Sequence, residues 1–325
     1  MAVGTEFEGE SLSPAAAKLA KAAEKMSGPL FAAVDGAQYG HLPRLLKSLG
    51  LDHRSLFLEH GDEKIEAASG WLVPIPDQPA LLALLAHSEP DCGSLVLWAC
   101  PAGEAALHRH LRSINLVQLP KSTIPQDEES SPEEEGATEP DGTSDYESVL
   151  FRHYDPNVLA SLLPIMTEGQ FARILGPATQ VLFHAEDYGG LRSAEHPGQM
   201  VIRPKGMLRI DAEQIEELEE VRHEASNRKI ADYLREVAPD NAGQMDEERM
   251  ASFVAENRRS AQDMGIRSEL ATGYWAYLNL GSEGRVAALP TTRDYLRNHP
   301  EDGTADEKIF ALMHRLSKPA SGETA

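Results

Sequence analysis

Asp35-Gly36, at the end of the apolar run Leu30-Phe31-Ala32-Ala33-Val34, is the best catalytic candidate in this sequence. A parallel sheet presents the carboxyl ends of its strands to a ligand crevice, where a carboxylate can act as general acid or base. Asp followed by Gly is also a common turn dipeptide, and the turn is the role expected here. The string Phe151-Arg152-His153-Tyr154-Asp155-Pro156 is the most distinctive one in the chain. Asp155 can cap a following helix, Pro156 suits its first turn, and Arg152 and Asp155 can pair with each other or with neighbouring elements. No nucleophile or metal cluster accompanies the string, so a structural corner is expected rather than a catalytic one. An enzyme built on these residues would be a hydrolase or transferase with Asp35 as acid or base and a pocket near Arg152 and Asp155.

Other devices are missing. The sequence holds no phosphate-binding loop, no Gly-x-Gly-x-x-Gly after the first strand, no Gly-x-Ser-x-Gly and no His-Glu-x-x-His. His108 and His110 stand two apart, which on a helix sends them to different faces, and both are expected at the surface. His60, His153 and His184 lie on or beside expected strands without the matched ligands a metal site supplies. Cys92 and Cys100 flank an apolar run and read as buried free thiols. No cofactor and no metal are expected.

These residues need elements to position them. At 325 residues the chain is long enough for two domains, and 41% hydrophobic with 25% charged residues is the usage of a folded globular protein. The predicted class is α/β: a layered mixed sheet with flanking helices in an N-terminal lobe, plus a mostly α-helical C-terminal lobe. Apolar runs at 30–35, 55–59, 71–75, 94–100 and 116–119 predict five strands of one sheet. Helical periodicity at 41–48, 64–69, 79–87 and 103–114 lies between them, and crossovers of that length predict several parallel pairs. Ser13 and Pro14 begin a short, peripheral helix within an N-terminal extension, 1–28.

The segment 122–147 carries ten carboxylates to its end at Glu147 and no Lys or Arg, so it reads as a disordered acidic insertion in an α/β domain spanning 29–198. A strand over 148–154, helices over 157–166 and 168–175, and a strand over 179–185 complete that domain, with Met200 to Arg203 as a further edge or a link onward. From Asp211 onward helices dominate the lobe at 199–325. Ile215, Leu218, Ile230, Leu234 and Val237 supply one buried stripe, and Met250, Phe253 and Val254 another. The third helix carries Tyr274, Trp275 and Tyr277, residue types enriched at interface centres, although Trp275 and Leu278 also share a face suited to core packing.

A formal charge of −22, from 30 basic and 52 acidic residues, opposes the counterion release on which nucleic-acid binding depends. Nucleic acid and anionic membranes are therefore not expected partners. Met1 to Gly28 lacks a basic flank followed by an apolar core, and no run approaches the ~20 apolar residues of a membrane span. The expected location is the cytoplasm.

Leu30-Phe31-Ala32-Ala33-Val34-Asp35-Gly36-Ala37, Ser55-Leu56-Phe57, Trp71-Leu72-Val73-Pro74-Ile75, His110-Leu111-Arg112 and Val149-Leu150-Phe151-Arg152-His153-Tyr154-Asp155-Pro156-Asn157-Val158-Leu159 follow one another in an order that resembles a known family. This is the family of adaptor chaperones that load toxic effectors onto the type VI secretion spike. The resemblance covers about 30–187; His153 stands where the family usually carries an aromatic residue, and the acidic insertion interrupts the approach to the last motif. It implies a carrier without turnover, whose partners are one cognate secreted effector and the trimeric valine-glycine repeat spike. Arg152, Tyr154, Asp155, Tyr274, Trp275 and Tyr277 are the candidate partner-binding residues, the last three from the lobe that resembles the family's more variable part.

Overall fold

The computed structural model describes residues 12–57, 62–88, 92–123, 145–197, 206–299 and 303–317. By its contacts the chain divides into two compact units, Met1–Val221 and Arg222–Ala325.

Nine strands are found among the described residues of the first unit: β1 (Leu30–Asp35), β2 (Arg54–Ser55), β3 (Gly70–Ile75), β4 (Leu95–Ala99), β5 (Leu116–Pro120), β6 (Tyr146–Leu150), β7 (Gln180–Ala185), β8 (Gly190–Glu195) and β9 (Leu208–Arg209). Six form a sheet in the order β2-β3-β1-β4-β7-β8, and β6-β5-β9 form a second. Every pairing in the larger sheet is antiparallel, and among the described residues only β5 and β9 pair in parallel. The class is as predicted, but the expected parallel pairing and the single sheet of five are not. Continuous apolar runs mark a strand buried on both faces, and a helix-covered antiparallel sheet produces them as readily as a parallel one.

Period-two alternation assigns each side chain to one of two cores. Phe31, Ala33, Leu72, Val96, Trp98, Val181 and Phe183 face one cluster, while Ala32, Val34, Trp71, Val73, Leu95, Leu97 and Leu182 face the other. The second cluster is covered by α1 (Pro14–Ala23), α2 (Leu42–Ser48) and α4 (Gln78–Ala86), with α3 (Glu63–Ala67) between the last two in sequence. The first is covered by α5 (Glu104–Ser113), α6 (Pro156–Leu162) and α7 (Glu168–Leu175). Helix α1 is capped by Ser13, which accepts from the Ala16 amide at 3.1 Å, as its sequence predicts. It is not peripheral: Ala16, Leu19 and Ala20 are buried in the core.

The larger sheet ends in a strand beyond the expected one at 179–185. One edge is β8, whose sequence Gly-Leu-Arg-Ser-Ala-Glu has no apolar run to reveal it, and the segment 200–203 lies outside the described residues. The flanks of the acidic stretch are structured: Lys121–Thr123 form a short turn and β6 begins at Tyr146, while 124–144 lie outside the described residues.

Helix α8 (Ala212–Val237) contains the residues at which the units divide. Its Leu218, Ile230 and Leu234 are buried, but Val237, expected in the same stripe, is exposed. The second unit continues with α9 (Pro239–Ala242), α10 (Glu247–Asp263), α11 (Glu269–Ser282), α12 (Arg285–Ala288), α13 (Pro290–Asn298) and α14 (Ala305–Ser317). Asp246 and Ser268 cap α10 and α11. Buried Asn257 and Asn279 bond each other at 2.8 Å and so satisfy polar groups that would otherwise be costly inside this unit.

Candidate functional site

Asp35 ends β1 and its Oδ1 accepts from the Ala37 amide at 3.1 Å, forming the turn its sequence predicts. The next residue, Gly36, is required by space rather than by backbone angle. A Cβ there would lie 2.1 Å from the Ala67 carbonyl oxygen and 2.5 Å from that of Ser69. The chain segment before β3 thus packs directly on the turn, and the Asp35 side chain is 3% exposed.

Arg152 brings the second half of the site. It follows β6, and its guanidinium donates to Asp35 Oδ2 and lies 3.4 Å from Asp155 Oδ2. Asp155 also accepts from the Asn157 amide at 2.9 Å, so one residue caps α6 and pairs with Arg152. Tyr154 is buried between them in sequence, its ring pressed on Gly70, where a Cβ would come within 2.6 Å. The Arg152 guanidinium stands 6.0 Å from the Tyr154 ring centre and Phe57 meets the same ring edge-on at 6.1 Å.

Electrostatics follow this layout. Burial pulls the Arg152 pKa down, but Asp35 and Asp155 more than offset it, and the group is held above its ordinary value. Burial raises the Asp155 carboxyl, with Arg152 and two backbone amides opposing. Burial and Asp35 raise the Tyr154 phenol. The Arg152 side chain remains 40% exposed while its Nη2 is paired with both carboxylates.

His153 turns the other way. It is fully buried, its Nε2 lies 2.9 Å from Asn115 Oδ1, and Asn115 donates its Nδ2 to the Leu56 carbonyl. Asn115 Oδ1 is therefore an acceptor, and the neutral imidazole donates from Nε2. Burial, reinforced by His110, lowers the His153 pKa to about 3. Asn115 and Gly70 are neighbours of the site that the sequence reading passed over; each acts by tertiary contact, and no local pattern marks it.

His108 and His110 are not free surface groups. Their Nε2 atoms each lie 2.8 Å from a backbone carbonyl, of Ser55 and Ile174 respectively, and tie α5 to its surroundings. His184 is buried at the end of β7 and lies 3.5 Å from Glu186, while His60 lies outside the described residues. Cys92 and Cys100 are buried thiols outside any disulfide, and burial pushes the Cys100 thiol up. Among the described residues no group of three His, Cys, Asp or Glu is placed to hold a metal ion, and no helix is long and apolar enough to cross a membrane.

In the second unit the three aromatic candidates separate. Trp275 is fully buried and its Nε1 donates to Ser260 Oγ at 3.3 Å, so it is a core residue that no partner can touch in this conformation. Tyr274 and Tyr277 are half-buried on α11, and exposed Leu270 lies four residues before Tyr274. Leu270, Tyr274 and Tyr277 therefore form one stripe by helical spacing. Tyr274 also meets Tyr233 and Phe310 at centroid distances of 6.2 and 5.9 Å.

The model of a domain of unknown function, DUF4123, matches residues 30–129, the stretch from β1 through β5 that contains Asp35 and ends before Arg152. No curated protein and no solved structure matches the chain.

Proposed function

We propose that this chain is a non-enzymatic adaptor that binds a cognate type VI secretion effector and promotes its loading onto the valine-glycine repeat spike. One observation carries the reading: the two strings on which the family resemblance chiefly rests, 30–37 and 149–159, meet in the ion-paired corner of Asp35, Arg152 and Asp155. The matched family at 30–129 is one known in adaptors associated with such effectors, which supports the same reading. The partly exposed Arg152 side chain offers a charged donor group to acceptors of a partner. On the second unit, the stripe of Leu270, Tyr274 and Tyr277 offers aromatic and apolar surface of the kind partners bury.

The hydrolase or transferase alternative asks Asp35 to move protons. Both of its oxygens are engaged, one by the Ala37 amide and the other by Arg152, and its side chain is almost wholly buried. A general base needs reach to a substrate proton, and this carboxylate lacks it.

Reconstitution tests the proposal. Tagged spike protein is mixed with the effector encoded beside this chain, with and without the chain. Retention of effector on the spike only when the chain is present is the expected result; equal retention in both cases contradicts a loading role.

A further inference from the structure

A surface cleft of about 480 Å³ is lined by Arg54, Ala105, His108, Arg109, Arg112 and Ser113. Its walls come from two elements, the edge strand β2 and helix α5, held together where His108 Nε2 meets the Ser55 carbonyl at 2.8 Å. Residues 105, 109 and 112 follow the spacing of one helix face, and Ala105 is the short side chain in that row. No carboxylate lines the cleft. Glu104, beside it in sequence, reaches Arg54 at 3.5 Å, with both side chains well exposed. Arg109 and Arg112 are exposed and have no ion-pair or hydrogen-bond partner among the described residues.

On a chain with 52 acidic against 30 basic residues, two unpaired arginines beside a third are a local reversal of sign. We infer that this cleft is a binding site for a carboxylate-rich peptide segment of a partner protein. A guanidinium fork matches the two oxygens of a carboxylate, and arginines on separate elements can hold successive acidic side chains of an extended segment. A nucleic acid would bring many phosphates against the field of the whole molecule, whereas a short acidic segment needs only the cleft. The inference stands apart from the carrier reading, because it concerns what the purified chain binds on its own.

The test is fluorescence anisotropy of labelled hexaglutamate titrated with the full-length chain at low ionic strength, with hexaglutamine and oligothymidylate as parallel probes. Saturable binding of hexaglutamate alone, weakened by added salt, is expected. Arg109→Ala/Arg112→Ala should weaken it about tenfold, and Ala105→Glu should weaken it too by placing a carboxylate in the cleft. All three positions are exposed, and an unchanged thermal melt verifies that the variants fold. The chain's own carboxylates between Asp127 and Asp141 have the same chemistry, so the titration is repeated on a variant with those residues amidated to Asn and Gln. Absence of saturable binding in both backgrounds overturns the inference, as does affinity unchanged by the double substitution. Oligothymidylate bound as tightly through the same arginines would also overturn it.

Discussion

The Arg152 guanidinium donates to Oδ2 of Asp35, a buried carboxylate 117 residues earlier in the chain. This pair fastens the end of β1 to the start of α6, and its two members are unequal. Removing Arg152 leaves a buried carboxylate without its counter-charge, whereas removing both charges does not.

Arg152→Ala should therefore cost about 2–4 kcal/mol, toward the lower figure because solvent reaches part of Arg152 and screens what is left. Asp35→Asn in the Arg152→Ala background should restore part of that loss. Urea denaturation of the two single variants and the double variant measures the coupling. Additive losses would show that the pair contributes little beyond its separate contacts.

His153 makes stability depend on pH. Its folded pKa is depressed to about 3 from the ordinary value of 6.5, so the unfolded chain takes up the proton first as pH falls. The stabilisation is fully present above 6.5 and is lost below it, at a slope approaching about 1.4 kcal/mol per pH unit until the folded pKa is reached. His153→Phe should remove that component, so the difference between wild-type and variant stability should shrink as pH drops below 6.5. A difference independent of pH in that window would contradict the burial of a neutral imidazole.

At Gly36 the neighbours are backbone carbonyls, which cannot swing aside as a side chain can. Gly36→Ala should cost at least about 3 kcal/mol or abolish soluble folding. Gly40→Ala, where an added Cβ meets nothing within 4 Å, should stay within about 0.5 kcal/mol of wild type. Melting temperatures of the two variants decide the point.

What could be read in the sequence was the local part of this arrangement. The apolar run Leu30–Asp35 is β1 to the residue, and Glu168–Leu175 is α7 with the stop at Gly176. Asp155 as a cap and Asp35 as a turn follow from short-range chemistry, and both hold. Strand direction is not short-range: burial on both faces writes the same apolar run into parallel and antiparallel strands. β8 escaped because an exposed edge strand needs no apolar residues, and β9 because two residues carry no period. The partner of Arg152 was open in the sequence, since nothing nearby points across 117 positions to Asp35.

On α11 the prediction is a separation of roles. Trp275→Ala should unfold the second unit or cost about 3–5 kcal/mol, as expected for a large buried aromatic. Tyr274→Ala/Tyr277→Ala should leave a folded protein, by circular dichroism, that captures its partner at least about tenfold more weakly. Capture unchanged in a folded double variant would remove this stripe from the interface.

Size-exclusion chromatography of the tagged chain, co-expressed with the large proteins encoded beside it and run at high salt, tests the adaptor reading most directly. The account predicts that one effector co-elutes with the chain as a stable complex and is lost or aggregated when expressed alone. A chain that elutes by itself in every combination, beside effectors that stay soluble without it, would contradict the account.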